Sequence, residues 1–255
     1  MKKSNVLVCY VETDTQYHKD KKILYSCERL GIKPKVFGRG KQWNGAIDKF
    51  LYFLDGIENM TVKEKYILFV DSRDVLFVKD LKEIEKRYKR YFKNYGLVFN
   101  GETNCYPDKD LAVAYPHQDK KYKYLNAGMC MGRTDFIMET FPKLKEHFTD
   151  YEKNWSEQGV WTNIFFDYLK KYGDDNPITL DYDCKIFQCL WDEEWGRSAN
   201  FDIVYNKNKI YNKLTKTEPC VFHTPGPTCS DSQVWKIINN KYHITNRSED
   251  FYEYI

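Results

Sequence analysis

Tyr66-Ile67-Leu68-Phe69-Val70-Asp71-Ser72-Arg73-Asp74 decides how the chain folds, because a short unbroken apolar run ends there in two carboxylates three residues apart. A run of this length without polar alternation suits a strand buried on both faces of a parallel sheet. Ligands of open α/β sheets bind just beyond the carboxyl ends of such strands, so Asp71 and Asp74 fall where a site would form. Two carboxylates on one turn repel each other unless a cation lies between them, and hard divalent ions such as Mn2+ or Mg2+ take oxygen ligands of this kind. An ion bound there would hold a diphosphate. The same spacing also fits a turn whose Asp and Ser side chains bond the local backbone.

Outward from this run, strands and helices alternate, which predicts an α/β fold with a mostly parallel sheet flanked by helices. Val6 to Val11 reads as the first buried strand, and Ile23, Leu24, Cys27 and Leu30 as a helix face closed by Gly31. Val36 and Phe37 form a second strand. Ile47, Phe50, Leu51 and Leu54 follow at the spacing of one buried helical face, with Gly56 as its stop. After the central run, Asp80 can cap a helix whose inward stripe is Leu81, Ile84, Tyr88 and Tyr91, and Leu97-Val98-Phe99 supplies another strand. The second half holds a helix with Val160, Trp161, Ile164, Phe165, Tyr168 and Leu169 inward, ended by Gly173. Pro219 to Phe222 reads as a last core strand, and Val234, Ile237 and Ile238 as a closing helix.

At 255 residues, with no Pro/Gly/Ser-rich linker, residues 1–255 read as one domain with a real core. Its 42% hydrophobic and 17% aromatic content set it apart from a disordered chain. A net charge of only +3 gives no strong field for nucleic acid or an anionic membrane. The apolar stretch behind Lys2 and Lys3 is too short for a secretion signal or a bilayer span, so the chain as given is expected in the cytosol. As part of a longer precursor it would be expected in the lumen of the endoplasmic reticulum. Eight scattered cysteines form no Cys-x-x-Cys pair, which argues against a zinc cluster and leaves disulfides open.

His223 leaves a buried strand directly into the turn Thr224-Pro225-Gly226-Pro227, the same topography as Asp71. A lone histidine is as readily a hydrogen-bonded structural residue. Joined to Asp71 and Asp74, it leaves positions on an octahedral Mn2+ for two phosphate oxygens and water. Leu125-Asn126-Ala127-Gly128-Met129-Cys130-Met131-Gly132 offers small residues that admit a ligand and an amide that can donate and accept, or else a glycine-bearing core strand. Glu102 lies just past a strand and Tyr106 in the following loop, where an aromatic ring could pack on a sugar. Glu157 and Gln158 open a helix, which also fits a capping pair.

Together these segments resemble the glycosyltransferase domain of the multifunctional procollagen lysyl hydroxylases and, more loosely, the collagen galactosyltransferases, from about Val6 to Thr228. The resemblance rests on the strand end at Thr13, Gly40-Lys41-Gln42-Trp43, Phe69 to Asp74, and Glu102 to Asp108. It continues through Leu111-Ala112, Tyr115-Pro116, Leu125 to Gly128, Leu180-Asp181, Ile186-Phe187-Gln188, and His223 with Gly226-Pro227. It implies a GT-A-type fold and a UDP-sugar-dependent, retaining transferase with Mn2+, or alternatively Mg2+, on Asp71, Asp74 and His223. It also implies UDP-glucose as donor and galactosyl-hydroxylysine of a collagen-like protein as acceptor; a homodimer is an allowed assembly. Thr13, Trp43, Lys49, Ser72, Arg73 and Gly226 would lie by the nucleotide. Asn126, Gly128, Glu157 and Gln158 would line the sugar, with Asn126, Glu157 and Gln158 as the catalytic set, and Glu102 and Tyr106 would border the acceptor. Glu157 is the carboxylate expected to stabilise oxocarbenium character or orient the acceptor hydroxyl.

The chain departs from the family pattern at four places. Arg73 stands for a Tyr that stacks on uracil, Tyr106 for a Trp, Ser156-Glu157 for a run of aspartates, and Thr224-Pro225 for Gly-Asn. Two further readings are a UDP-galactose-dependent hydroxylysine galactosyltransferase and a catalytically silent UDP-sugar-binding partner module.

Overall fold

The computed structural model describes residues 4–15, 21–150, 155–191, 202–206 and 209–225. The first half runs β1 (Val6–Val11), α1 (Lys21–Arg29), β2 (Lys35–Phe37), α2 (Asp48–Glu58), β3 (Tyr66–Val70), β4 (Val75–Phe77), α3 (Leu81–Tyr91) and β5 (Leu97–Glu102). The second half runs β6 (Tyr124–Arg133), α4 (Thr134–Leu144), α5 (Glu157–Tyr172), β7 (Ile178–Asp181), β8 (Phe187–Cys189), β9 (Ile203–Asn206), β10 (Lys209–Asn212) and β11 (Val221–His223).

Six strands form the central sheet in the order β2-β1-β3-β6-β5-β7. Every neighbour pair is parallel except those of β6, which runs antiparallel to both β3 and β5. The alternating residues of β1 feed two cores: Leu7, Cys9 and Val11 face α2, α4 and α5, while Val6, Val8 and Tyr10 face α1 and α3. Burial on both faces is what an unbroken apolar strand demands. A smaller sheet in the order β4-β11-β8 brings β11 beside the turn that follows β3. Thr224 N and Oγ1 both donate to the carbonyl of Asp74, at 2.8 and 3.0 Å, and lock the end of β11 to that turn.

Several expectations need correction. Gly56 does not stop its helix, which continues to Glu58; a Cβ there would lie 2.2 Å from the Phe37 ring, so the glycine lets α2 press on β2. Tyr91 is 41% exposed, because α3 ends there and Phe92 turns into the core in its place. Glu102 closes β5 and does not lie beyond it, after a register shift between Phe99 and Asn100. Gly31 and Gly173 do sit at helix ends with positive φ, of 65° and 56°. The seven described cysteines are buried. No described helix is long and apolar enough to cross a membrane. Gly226, Cys229 and the closing helix expected around Val234, Ile237 and Ile238 lie outside the described residues.

Candidate active site

The turn after β3 and the end of β11 meet beside β6. Asp71 N donates to the carbonyl of Gly128 at 2.8 Å, which holds the turn against β6. Buried His223 points Nε2 at the two carboxylates, 3.5 Å from Asp71 Oδ2 and 3.3 Å from Asp74 Oδ2. Its Nδ1 lies 2.8 Å from Asn126 Oδ1. That oxygen also accepts from Gly128 N at 3.0 Å and Asn100 Nδ2 at 3.3 Å, which fixes the amide's orientation. An amide oxygen only accepts, so the neutral imidazole carries its hydrogen on Nδ1 and a lone pair on Nε2.

Nε2 is buried and has no hydrogen-bond partner among the described residues. A buried ring nitrogen that makes no hydrogen bond and faces two carboxylates is an arrangement that a bound cation would satisfy. Candidate ligand atoms of Asp71, Asp74 and His223 lie within 4.8 Å of one another. Two carboxylates and one imidazole fit a divalent ion such as Mn2+, which accepts both oxygen and nitrogen. Burial works against the charged imidazole, but Asp74 and then Asp71 outweigh it and raise the ring's pKa. Gly128 is the floor of this arrangement, because a Cβ there would stand 2.2 Å from His223 Cε1.

Lys49, in the first turn of α2, reaches the same cluster. Its Nζ lies 2.7 Å from Asp71 Oδ1, 2.5 Å from Glu157 Oε2 and 3.4 Å from the carbonyl of Ala127. Burial disfavours the ammonium, but Asp71 and Glu157 together hold it firmly charged. Glu157 opens α5 and is 4% exposed; its Oε1 accepts from Trp161 Nε1 at 3.3 Å. Burial first, with Asp71 adding to it against Lys49, pushes the Glu157 carboxyl up to about 7. Ser156 caps the helix by accepting from Gly159 N at 3.3 Å, so Glu157 and Gln158 are free to face the site and are not a capping pair. Gln158 is itself fixed: Nε2 donates to Glu102 Oε1 at 2.7 Å and the carbonyl of Tyr106 at 3.0 Å, and Oε1 accepts from Ala127 N at 3.1 Å.

Two cavities flank this cluster. One, of about 530 Å³, is bordered by Thr13, Trp43, Ser72 and Arg73. The other, of about 610 Å³, is bordered by Glu102, Tyr106, Asn126, Gly128, Glu157 and Gln158, with His223 at its edge. They share Ala46, Lys49, Asp71 and Asp74 as a seam. All the site residues expected from sequence, apart from Gly226, thus gather around one bipartite cleft.

Sequence reasoning missed Glu12, which is buried at the end of β1 and accepts from Arg73 Nε and Nη2, each at 2.8 Å, from Ser72 Oγ at 3.0 Å and from Asp14 N at 3.0 Å. Burial alone would raise its carboxyl, but bonds from Arg73, Asp14 and Ser72 outweigh that and hold it below the usual range. The signal was present: Glu12 ends the apolar run of β1 as Asp71 ends that of β3. The guanidinium of Arg73 therefore lies clamped at the mouth of the first cavity while remaining about half exposed. Trp155 and Trp191 were missed as well. Trp155 makes an edge contact with Tyr106, centroids 5.9 Å apart, and Trp191 carries a buried indole N–H without a partner among the described residues. Nothing distinguished them from the other aromatics of the irregular second half.

Comparison with known proteins gives this cleft a context. A family model described as the PLOD GT domain matches residues 2–243. An uncharacterised protein of Acanthamoeba polyphaga mimivirus is 30% identical over 212 residues, covering 79% of this chain and 42% of that protein. The multifunctional procollagen lysine hydroxylase and glycosyltransferase of Caenorhabditis elegans is 29% identical over 222 residues, covering 82% of this chain and 29% of that protein. The chain thus spans less than half the length of these curated relatives. Among solved structures, a glycosyltransferase involved in glycosylation of the major capsid of PBCV-1 aligns with TM-score 0.53 at 9% identity, over 94% of this chain and 98% of that one. The galactosyltransferase LgtC, solved with donor and acceptor sugar analogs, aligns with TM-score 0.56 at 12% identity, over 96% and 95% of the two chains. At such identities the likeness shows the fold, and that fold is the GT-A glycosyltransferase fold expected from sequence.

Proposed function

We propose that this chain, which belongs to the PLOD GT domain family, moves glucose from UDP-glucose to galactosyl-hydroxylysine of a collagen-like protein, with retention at the sugar carbon. The domain is a glycosyltransferase domain. The observation that carries it is the unpartnered Nε2 of His223 facing Asp71 and Asp74 at the seam of two cavities. Asp71, Asp74 and His223 would hold Mn2+, or Mg2+ in its place, and the ion would supply positive charge for the departing diphosphate.

The chain's own residues do the remaining work. Thr13, Trp43, Ser72 and Arg73 border the cavity assigned to the nucleotide, with Glu12 holding Ser72 and Arg73 in place. A clamped planar guanidinium offers a face on which a base can stack where the family has a tyrosine. Asn126 orients the imidazole and Gly128 leaves room for it. Gln158 ties Glu102 to the loop of Tyr106, on the side assigned to the acceptor, and Tyr106 with Trp155 gives aromatic surface for a sugar ring.

A panel of UDP-sugars with Mn2+, read by UDP release with and without galactosyl-hydroxylysine, tests this reading. Acceptor-dependent release from UDP-glucose is expected. Release from UDP-galactose with hydroxylysine as acceptor would move the assignment to the galactosyltransferase, and no release above background with any donor would leave a UDP-sugar-binding module.

A further inference from the structure

The seam between the cavities is lined by Ala46, Lys49, Asp71 and Asp74, so Lys49 is its one cationic side chain among the described residues. A lysine stem is flexible and sets no direction of its own. Here the direction is set by three acceptors, which match the three hydrogens of an ammonium: Asp71 Oδ1, Glu157 Oε2 and the carbonyl of Ala127. The two oxygens of Asp71 are thereby divided, Oδ1 to Lys49 and Oδ2 toward His223. Both oxygens of Glu157 are committed as well, one to Lys49 and one to the Trp161 indole. A buried carboxylate bound in this way is poorly placed to attack a sugar carbon or take a proton from an acceptor.

We infer that Glu157 is a positioning residue that acts through Lys49, fixing its ammonium at the seam so that its positive charge stands beside the diphosphate of the donor. The inference rests on the UDP-sugar reading and replaces the direct role at the sugar carbon expected for this carboxylate. The second cavity is bordered by Asp71, Asp74, Glu102 and Glu157, a strongly acidic wall for a ligand that brings further negative charge. A fixed ammonium beside the cluster offsets that repulsion in a partly buried setting, where charges act more strongly than in water. Without Glu157, Lys49 would keep only Asp71 as a charged partner and would draw that carboxylate away from His223 and Asp74. The anchoring is built into two helix starts, because Phe50, next to Lys49, stacks on Phe148 at 3.8 Å and meets Trp161 edge-on at 5.4 Å.

The test compares UDP with UMP, which lacks the second phosphate, by calorimetric titration at saturating Mn2+ in the wild-type chain, E157Q, K49M and the double variant. Each single variant is expected to weaken UDP about tenfold or more, as for loss or displacement of a fixed positive charge in a partly buried setting, and to leave UMP within about twofold. The double variant should bind UDP no worse than K49M alone, because the two side chains act as a unit. Should E157Q not fold, E157D gives the same comparison, keeping the charge but shortening its reach, and the same UDP-selective loss is expected. UDP affinity unchanged in E157Q while sugar transfer collapses would overturn the inference and return Glu157 to the reacting sugar. Equal losses of UDP and UMP would overturn it too, as a merely structural effect. A wild-type chain that binds no UDP with Mn2+ would instead remove the UDP-sugar reading beneath it.

Discussion

Whether an imidazole can reach two carboxylates depends here on the absence of a single methyl group. Gly128 lies under His223 so closely that Gly128→Ala would place a carbon 2.2 Å from the ring, and the ring must move. Asn126 would hold Nδ1 against that displacement, so the strain falls on the cluster; overpacking of this kind costs about 1–3 kcal/mol. G128A is expected to fold and to lose Mn2+ affinity by about tenfold or more, an effect of the size seen when the support of a metal ligand is disturbed. Electron paramagnetic resonance of free Mn2+ would measure it, and wild-type affinity in G128A would mean that His223 is not a ligand. At this scale the site was legible where a side chain ends an apolar run, as Asp71 and His223 do, and Asp74 was legible from its spacing to Asp71. Glu12 does the same and was overlooked, because a lone Glu gives no spacing to set it apart from a solvated charge. The commitment of Glu157 to Lys49 was beyond reach, since 108 positions separate the two and only the packing of α2 against α5 joins them.

Elements were legible in kind more than in direction. The helical stripes of α2, α3 and α5 and the buried strands β1, β3 and β5 follow from periodicity, and the Asp80 cap is present, with Oδ1 accepting from Glu83 N at 2.9 Å. The reversed direction of β6 was not legible. A strand buried on both faces shows the same apolar run whichever way it points, and hydrogen-bond direction leaves no mark on side-chain pattern. Gly56 misled for a related reason: a glycine inside a helix costs about 1 kcal/mol, which looks like a stop until the approach of Phe37 is known. The cap at α3 gives a check that separates fold from site. Asp80→Ala should destabilise the chain by about 1 kcal/mol and lower Tm by about 2–4 °C, with Mn2+-dependent UDP affinity unchanged. A loss of UDP affinity in D80A would mean that α3 takes part in shaping the cleft.

Across the whole molecule, several carboxylates tie distant segments together and set the response to acid. Glu85 on α3 accepts from Ser4 Oγ at 3.1 Å, from Asn5 N at 3.0 Å, from Asn5 Nδ2 at 3.1 Å and from Lys89, joining α3 to the segment that leads into β1. Burial alone would raise its carboxyl, but bonds from Lys89, Asn5 and Ser4 outweigh it and bring it down to about 2. Its folded value is below its unfolded value of about 4.5, so the unfolded chain takes up the proton first. The stability it supplies is therefore complete above that window and lost as pH falls from about 4.5 to about 2. Glu12 adds to the same acid limb in the same direction. Urea unfolding midpoints followed downward from neutral pH should fall more gently in Glu85→Gln than in the wild-type chain; identical slopes would mean that Glu85 is not held by these bonds in solution.

The central claim is that Asp71, Asp74 and His223 converge on one divalent ion that grips a diphosphate. Mn2+ titration followed by electron paramagnetic resonance, with and without UDP, in the wild-type chain and in Asp74→Ala tests it directly. One Mn2+ per wild-type chain, bound more tightly with UDP present, and loss of that site in D74A is the expected result. Equal Mn2+ binding by the two chains, or binding indifferent to UDP, would contradict it.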